Sequence, residues 1–169
     1  MSNPGEMLLS LVPFARTLGV SFDEVSAGRA VARLPDRTDL HNHVGGPHAG
    51  VLFSLGETAS GAVILAAYAD LIERALPVAA GGEIRYRAIA QGEVTAEAVP
   101  QRGRAEVLAE LDAAAAGTGK PPRIPVAVTI RDLAGNTTAE MSVTWALRPN
   151  GAAAPAELSV RTARTRPRR

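Results

Sequence analysis

Residues 48–69 read HAGVLFSLGETASGAVILAAYA, a run of about twenty mostly apolar or small side chains with a single carboxylate, Glu57, near its middle. That length suits a membrane crossing. A lone charge at the centre of an isolated span is costly, however, and no basic or aromatic anchors flank the run. The stretch is therefore expected as a helix buried in a folded core, running from about His48 to Ala75 with a break near Asp70, and not as a membrane span.

Outward from this helix the periodicity changes. Upstream, Met7, Leu8, Leu11, Phe14, Ala15 and Leu18 fall on one helical face, predicting a short opening helix over 6–18 with Gly19 as its stop. Val20 to Leu34 reads as extended with a bend at Ala27-Gly28, and a polar loop follows from Asp36 to Pro47. Downstream, Ile84, Tyr86 and Ala88 alternate with Glu83, Arg85 and Arg87, and Val94, Ala96 and Ala98 repeat the pattern after Gln91-Gly92. This predicts two strands joined by a tight turn. Residues 104–116 have helical composition. Ile124 to Ile130 and Ala139 to Leu147 form a second alternating pair around a turn at Asp132 to Asn136. One long apolar helix with about five strands, four of them in two hairpins, is an α+β domain in which a curved antiparallel sheet wraps the helix. It is expected to span residues 1–149, with 150–169 as a basic disordered tail.

The 169 residues and 46% hydrophobic content suit one such domain. A formal charge of +1 calls for neither a nucleic-acid nor a membrane-surface partner. Arg161, Arg164, Arg166, Arg168 and Arg169 are read as a solvated tail and not as a nucleic-acid contact. With no cysteine, disulfides, thiolate metal sites and a cysteine nucleophile are excluded. That fits a cytoplasmic location, as does an N-terminus without a secretory pattern.

Glu57 is the anomaly. A carboxylate in the least polar helix loses hydration unless partners replace it, and buried carboxylates of this kind often have shifted pKa values and catalytic roles. On the pattern alone two readings stay open: a working carboxylate, or one solvated or satisfied by hydroxyls on the stripe that holds Ser54, Thr58 and Gly61. The preceding loop, HNHVGGPHAG at 41–50, feeds a helix N-terminus. Its unpaired N–H groups carry partial positive charge and can stabilise an oxyanion. His41, His43 and His48 match no standard metal-ligand spacing, so no metal is expected.

Asn42, then His48-Ala49-Gly50, then Leu52-Phe53-Ser54-Leu55-Gly56-Glu57 resembles the signature of hotdog-fold thioesterases of the phenylacetate-pathway (PaaI-like) type, over roughly twenty residues, with the order of elements compatible from Gly19 to Leu147. The resemblance implies a hotdog fold, hydrolysis of acyl-CoA or acyl-carrier thioesters, and assembly as a homodimer or a dimer of dimers. It implies no cofactor, CoA entering only as part of the substrate. Glu57 would then be the catalytic carboxylate, acting as base or nucleophile. The Ala49 N–H would polarise the carbonyl, with Asn42 and His48 as pocket residues, and Gly50, Ser60 and Gly61 would lie along the substrate. Ala49 stands where Gly is more usual, and residues 101–122 are longer than a simple connection, which suggests an extra helix over one end of the sheet.

Geometry agrees with the dimer. Ala49 and Glu57 are eight residues apart, about 12 Å at 1.5 Å per residue, too far to meet at one thioester carbon from a single helix. Each site is expected to combine residues of two protomers. A non-catalytic acyl-CoA-binding domain and a hotdog dehydratase are the alternatives. The few aromatics, three Phe, two Tyr and one Trp, favour an aliphatic or small substrate.

Overall fold

The computed structural model describes residues 4–150, so all of the expected basic tail beyond Asn150 lies outside the described residues. Asn150 itself is tied to the domain, its side-chain amide donating to the carbonyls of Ile72 at 3.2 Å and Glu73 at 2.8 Å.

The opening helix is two helices, α1 (Pro4–Leu11) and α2 (Pro13–Leu18). The apolar spacing is continuous across the break, but Pro13 has no N–H to continue α1 and its fixed φ suits the first position of a new helix. Gly19, at φ 77°, ends α2 in the left-handed conformation that glycine adopts without penalty. The extended stretch expected over Val20–Leu34 is two strands, β1 (Ser21–Val25) and β2 (Ala30–Leu34), folded back on each other as an antiparallel pair.

The long helix, α3, runs Ala49–Tyr68 and passes into a 3-10 turn at Ala69–Leu71. The break near Asp70 is thus present, but the helix does not reach Ala75, where a strand already begins. Arg104 closes the end: it donates to the Ala67 carbonyl, pairs with Asp70 at 2.6 Å and lies 5.3 Å from the centre of the Tyr68 ring. A cation is favourable there because the last carbonyls of a helix lack partners. Residues Ala49–Leu71 are long and apolar enough to cross a membrane, yet 56% of the most apolar window is buried in the fold.

Strand β3 (Ala75–Tyr86) is followed by β4 (Val94–Pro100), helix α4 (Arg104–Ala115), β5 (Arg123–Arg131) and β6 (Thr137–Pro149). The six strands form one antiparallel sheet in the order β1-β2-β4-β5-β6-β3. The expected β3–β4 hairpin is a misreading. β3 pairs with β6, while β4 lies between β2 and β5, so the segment after Tyr86 crosses the sheet instead of turning back. Alternation assigns faces to a strand but not neighbours. The β5–β6 hairpin is as expected, and α4 is the extra helix of the long connection.

Inward-facing Leu34, Val94, Ile124, Val126, Ile130 and Val143 meet Leu55, Val63 and Ile64 of α3. Each such side chain stabilises the fold by roughly 1.5–3 kcal/mol on burial. Small residues let the helix come close. A Cβ on Gly56 would stand 2.6 Å from the Met141 sulfur, well inside contact distance. α3 is thereby held against the sheet at the turn that carries Glu57.

Candidate functional site

The polar loop before α3 is a closed structure organised by Asn42. Its backbone N–H donates to the Gly46 carbonyl at 2.8 Å, its side-chain oxygen accepts from the Val44 N–H at 3.0 Å, and its amide donates to the Pro47 carbonyl at 3.4 Å. Gly46 packs against the strand side of the domain, where a Cβ would stand 2.7 Å from the Ala90 carbonyl oxygen. His41 is drawn aside by Asp36, with Nε2 and Oδ1 2.7 Å apart, and His43 is exposed. The three loop histidines do not converge, and no group of three or more His, Asp or Glu is placed to hold a metal among the described residues.

His48 is the N-cap of α3, with φ −61° and ψ 142°. The first turn of a helix has N–H groups without intrahelical acceptors, and here almost all are taken. Gly50 donates to His48 Nδ1 at 3.0 Å, and Val51 and Leu52 donate to the His48 carbonyl at 2.9 and 3.1 Å. Only the Ala49 N–H is left without an acceptor among the described residues. Ala49 and Gly50, adjacent in sequence, therefore differ: one N–H is open and the other is bound within the cap. Because Nδ1 of His48 accepts, the neutral ring carries its proton on Nε2.

Beside this helix end lies a cavity of about 160 Å³ lined by Asn42, Pro47, Ala49, Leu52, Tyr86, Ala88, Ile89 and Ala90. Tyr86, at the end of β3, donates its hydroxyl to the Ala49 carbonyl at 2.8 Å. Burial raises its pKa above the phenol's ordinary value, so it remains a donor. Alternation on β3 put Tyr86 on the Ile84 side of the strand, but nothing in the sequence connected it to α3.

Glu57 sits two turns along α3, half-buried, and does not line that cavity. No hydrogen bond or ion pair reaches its carboxylate among the described residues. Loss of hydration raises its pKa above the usual glutamate value of 4.5. The nearby hydroxyls do not satisfy it: Ser54 Oγ donates to the Gly50 carbonyl at 2.8 Å, Ser60 Oγ donates to the Glu57 backbone carbonyl at 2.7 Å, and Thr58 makes no hydrogen bond to it among the described residues. Ser60 is fully buried and also accepts the Trp145 indole N–H at 2.9 Å. Gly61 packs under the same indole, where a Cβ would stand 3.3 Å from the ring. Ser60 and Gly61 thus hold the helix from behind at the turn of Glu57.

Three arginines of the sheet and its long connection are engaged in ion pairs. Arg85 pairs with Glu83 at 3.0 Å, Arg87 with Glu140 at 2.5 Å, and Arg102 with Glu110 at 2.7 Å. The Arg85 and Arg87 pairs are exposed, and exposed pairs contribute little stability.

The family described as a domain of unknown function, DUF4442, matches residues 5–147. No curated protein matches. Among solved structures, a Pseudomonas aeruginosa protein, PA5026, described as of unknown function and a probable thioesterase, is similar at 25% identity, with 86% of this chain and 93% of that one covered and a TM-score of 0.70. A thioesterase family protein from Silicibacter pomeroyi is 16% identical, with 87% and 97% covered and a TM-score of 0.69. The PaaI protein of Escherichia coli, from the phenylacetic acid degradation operon, is 18% identical, with 84% and 88% covered and a TM-score of 0.65. These last two bear on the fold alone. The long helix on a six-stranded antiparallel sheet is the hotdog fold of the thioesterase superfamily.

Proposed function

The chain belongs to the DUF4442 family, and from that premise and its hotdog fold we propose that it hydrolyses acyl thioesters, of CoA or a similar carrier, with Glu57 as the catalytic carboxylate. The observation that carries this reading is the state of Glu57: half-buried, desolvated and without a partner among the described residues, in a helix otherwise packed with apolar side chains. A carboxylate kept in that state is costly to the fold, and a reaction that uses it as a base or nucleophile accounts for it. The structural neighbour PA5026, described as a probable thioesterase, supports the reaction class.

In this reading Glu57 takes a proton from water as the water oxygen bonds to the thioester carbon. The carbonyl electron pair moves to oxygen, where the open Ala49 N–H stabilises it. Collapse then breaks the C–S bond, and the departing thiolate takes the proton that Glu57 removed from water. The alternative route has the Glu57 carboxylate attack the carbon itself and water hydrolyse the resulting anhydride. Single turnover in oxygen-18 water tests the second route, because label enters Glu57 only when water attacks the glutamyl carbon of such an anhydride, and its appearance there rules out simple base catalysis. Asn42 shapes the cavity wall, and His48 acts through its cap on the helix end. CoA enters as part of the substrate and no cofactor is required.

Two protomers form each site. Glu57 lies about 12 Å along the helix from Ala49, so the open N–H of one protomer works with Glu57 of the partner subunit. The long edge strand β3, largely exposed along its length, is the surface through which a second copy extends the sheet, since an unpaired edge of this length invites pairing. The test is thiol release from short, medium, long and aromatic acyl-CoAs by wild type beside Glu57→Ala. Turnover of at least one substrate by wild type and its loss in the variant support the proposal. No turnover by wild type leaves a ligand-binding hotdog domain as the better account.

A further inference from the structure

The peptide group joining Ala49 to Gly50 is gripped at both ends. Its carbonyl accepts from Tyr86 Oη at 2.8 Å and its N–H donates to His48 Nδ1 at 3.0 Å. The two partners come from different parts of the fold, one from the loop immediately before α3 and the other from the far end of β3. Immediately before this peptide in the chain stands the Ala49 N–H, the one donor of the turn left open among the described residues. A single backbone donor cannot re-aim itself as charge develops on an oxygen, so its direction depends on how firmly the adjoining peptide is held.

The geometry points to Tyr86 as a positioning residue that fixes the direction of the open Ala49 N–H by holding the next peptide's carbonyl from β3. This rests on the proposed hydrolase reading. It goes beyond that reading by giving a role to a residue outside the loop and helix that carry the proposed chemistry. Tyr86 also ties that helix end to the strand whose outer edge is open to a second copy, so formation of the dimer and alignment of the donor share one strand. The ring of Tyr86 lines the cavity in addition. Only the hydroxyl is assigned the positioning role, which makes Tyr86→Phe the informative change: the ring and the cavity wall remain while the bond to the Ala49 carbonyl is lost.

The experiment compares wild type and Tyr86→Phe in two measurements: kcat and KM on whichever acyl-CoA wild type cleaves best, and amide hydrogen exchange at Gly50. The loss of one neutral hydrogen bond, acting through a neighbouring peptide, corresponds to a fall in kcat of about 3- to 10-fold. KM is expected to stay within about twofold because the uniform contacts of the cavity are kept. Gly50 exchange is expected to quicken while exchange in the middle of α3 is unchanged. An active wild type with the same kcat in Tyr86→Phe overturns the proposal and leaves the hydrolase reading intact. A wild type that cleaves no thioester ends the hydrolase reading instead. In that case unchanged Gly50 exchange in Tyr86→Phe also removes the claim that the phenol holds the peptide.

Discussion

The indole N–H of Trp145 donates to the Ser60 hydroxyl at 2.9 Å, and Ser60 passes the connection on to the carbonyl of Glu57 at 2.7 Å. Strand β6 is thereby bonded to the helical turn that carries the carboxylate. Ser60 is fully buried, so neither bond competes with bulk water. Ser60→Ala removes both bonds and leaves the indole N–H without its acceptor. The expected cost is about 1–3 kcal/mol of unfolding free energy, read from urea denaturation at fixed protein concentration. An unchanged midpoint would show that the helix needs no support at this turn.

Glu57 opposes folding once it is charged. Its folded-state pKa is raised by desolvation above 4.5, so the folded protein binds more protons than the unfolded chain between the unfolded and the folded values. The stability associated with the neutral acid is fully present below the unfolded pKa and is lost as pH rises through the folded one. Glu57→Gln removes that titration. It is expected to raise the melting temperature relative to wild type at pH 7, with the difference shrinking on acidification and disappearing below about pH 4. Equal melting temperatures at neutral pH would mean that the carboxylate is fully hydrated in solution.

The open donor at Ala49 can be removed without rebuilding the helix. Proline is tolerated at the first helical position, where no N–H bond is lost to the helix. The preceding His48, at ψ 142°, already has the extended conformation that a following proline demands. Ala49→Pro is expected to fold normally and to lose about 100- to 1000-fold in kcat. Mixed with Glu57→Gln and allowed to exchange subunits, it should regain activity, because each mixed dimer contains one site built from Ala49 of one chain and Glu57 of the other. With random exchange the mixture approaches about a quarter of wild-type activity. A mixture as inactive as its components would place both residues in the same protomer's site.

Much of this was legible in the sequence because burial and chemistry conflict openly there. Glu57 stands out since every near neighbour on α3 is small or apolar, and the glycine-rich loop before His48 marks a helix start that any backbone would share. The β5–β6 hairpin was legible because its turn is local, with Gly135 at φ 85°. Long-range partners were not. Nothing in the alternation of Ile84 and Tyr86 says that β3 pairs with β6 at the sheet edge, and Gln91-Gly92 looks like a hairpin turn until the strand order is known. The same limit hid Tyr86 on the Ala49 carbonyl and Trp145 on Ser60, which join residues 37 and 85 positions apart. It hid the fate of the Gly50 N–H as well, for a cap formed by a ring nitrogen depends on a rotamer. Pro13 is a different case: the helical stripe runs through it, and the missing N–H decided the break.

The central claim is that Glu57 does the chemistry, and the most direct measurement is kcat for thiol release by Glu57→Gln on the best acyl-CoA substrate of wild type. Gln keeps the size and the packing of the side chain and removes only its ability to take a proton or attack carbon. The account predicts a loss of at least about 100-fold in kcat, with the variant folded and of the same oligomeric size as wild type. A folded Glu57→Gln protein that releases thiol at the wild-type rate would contradict it, and the carboxylate would then be an uncompensated charge with no part in the reaction.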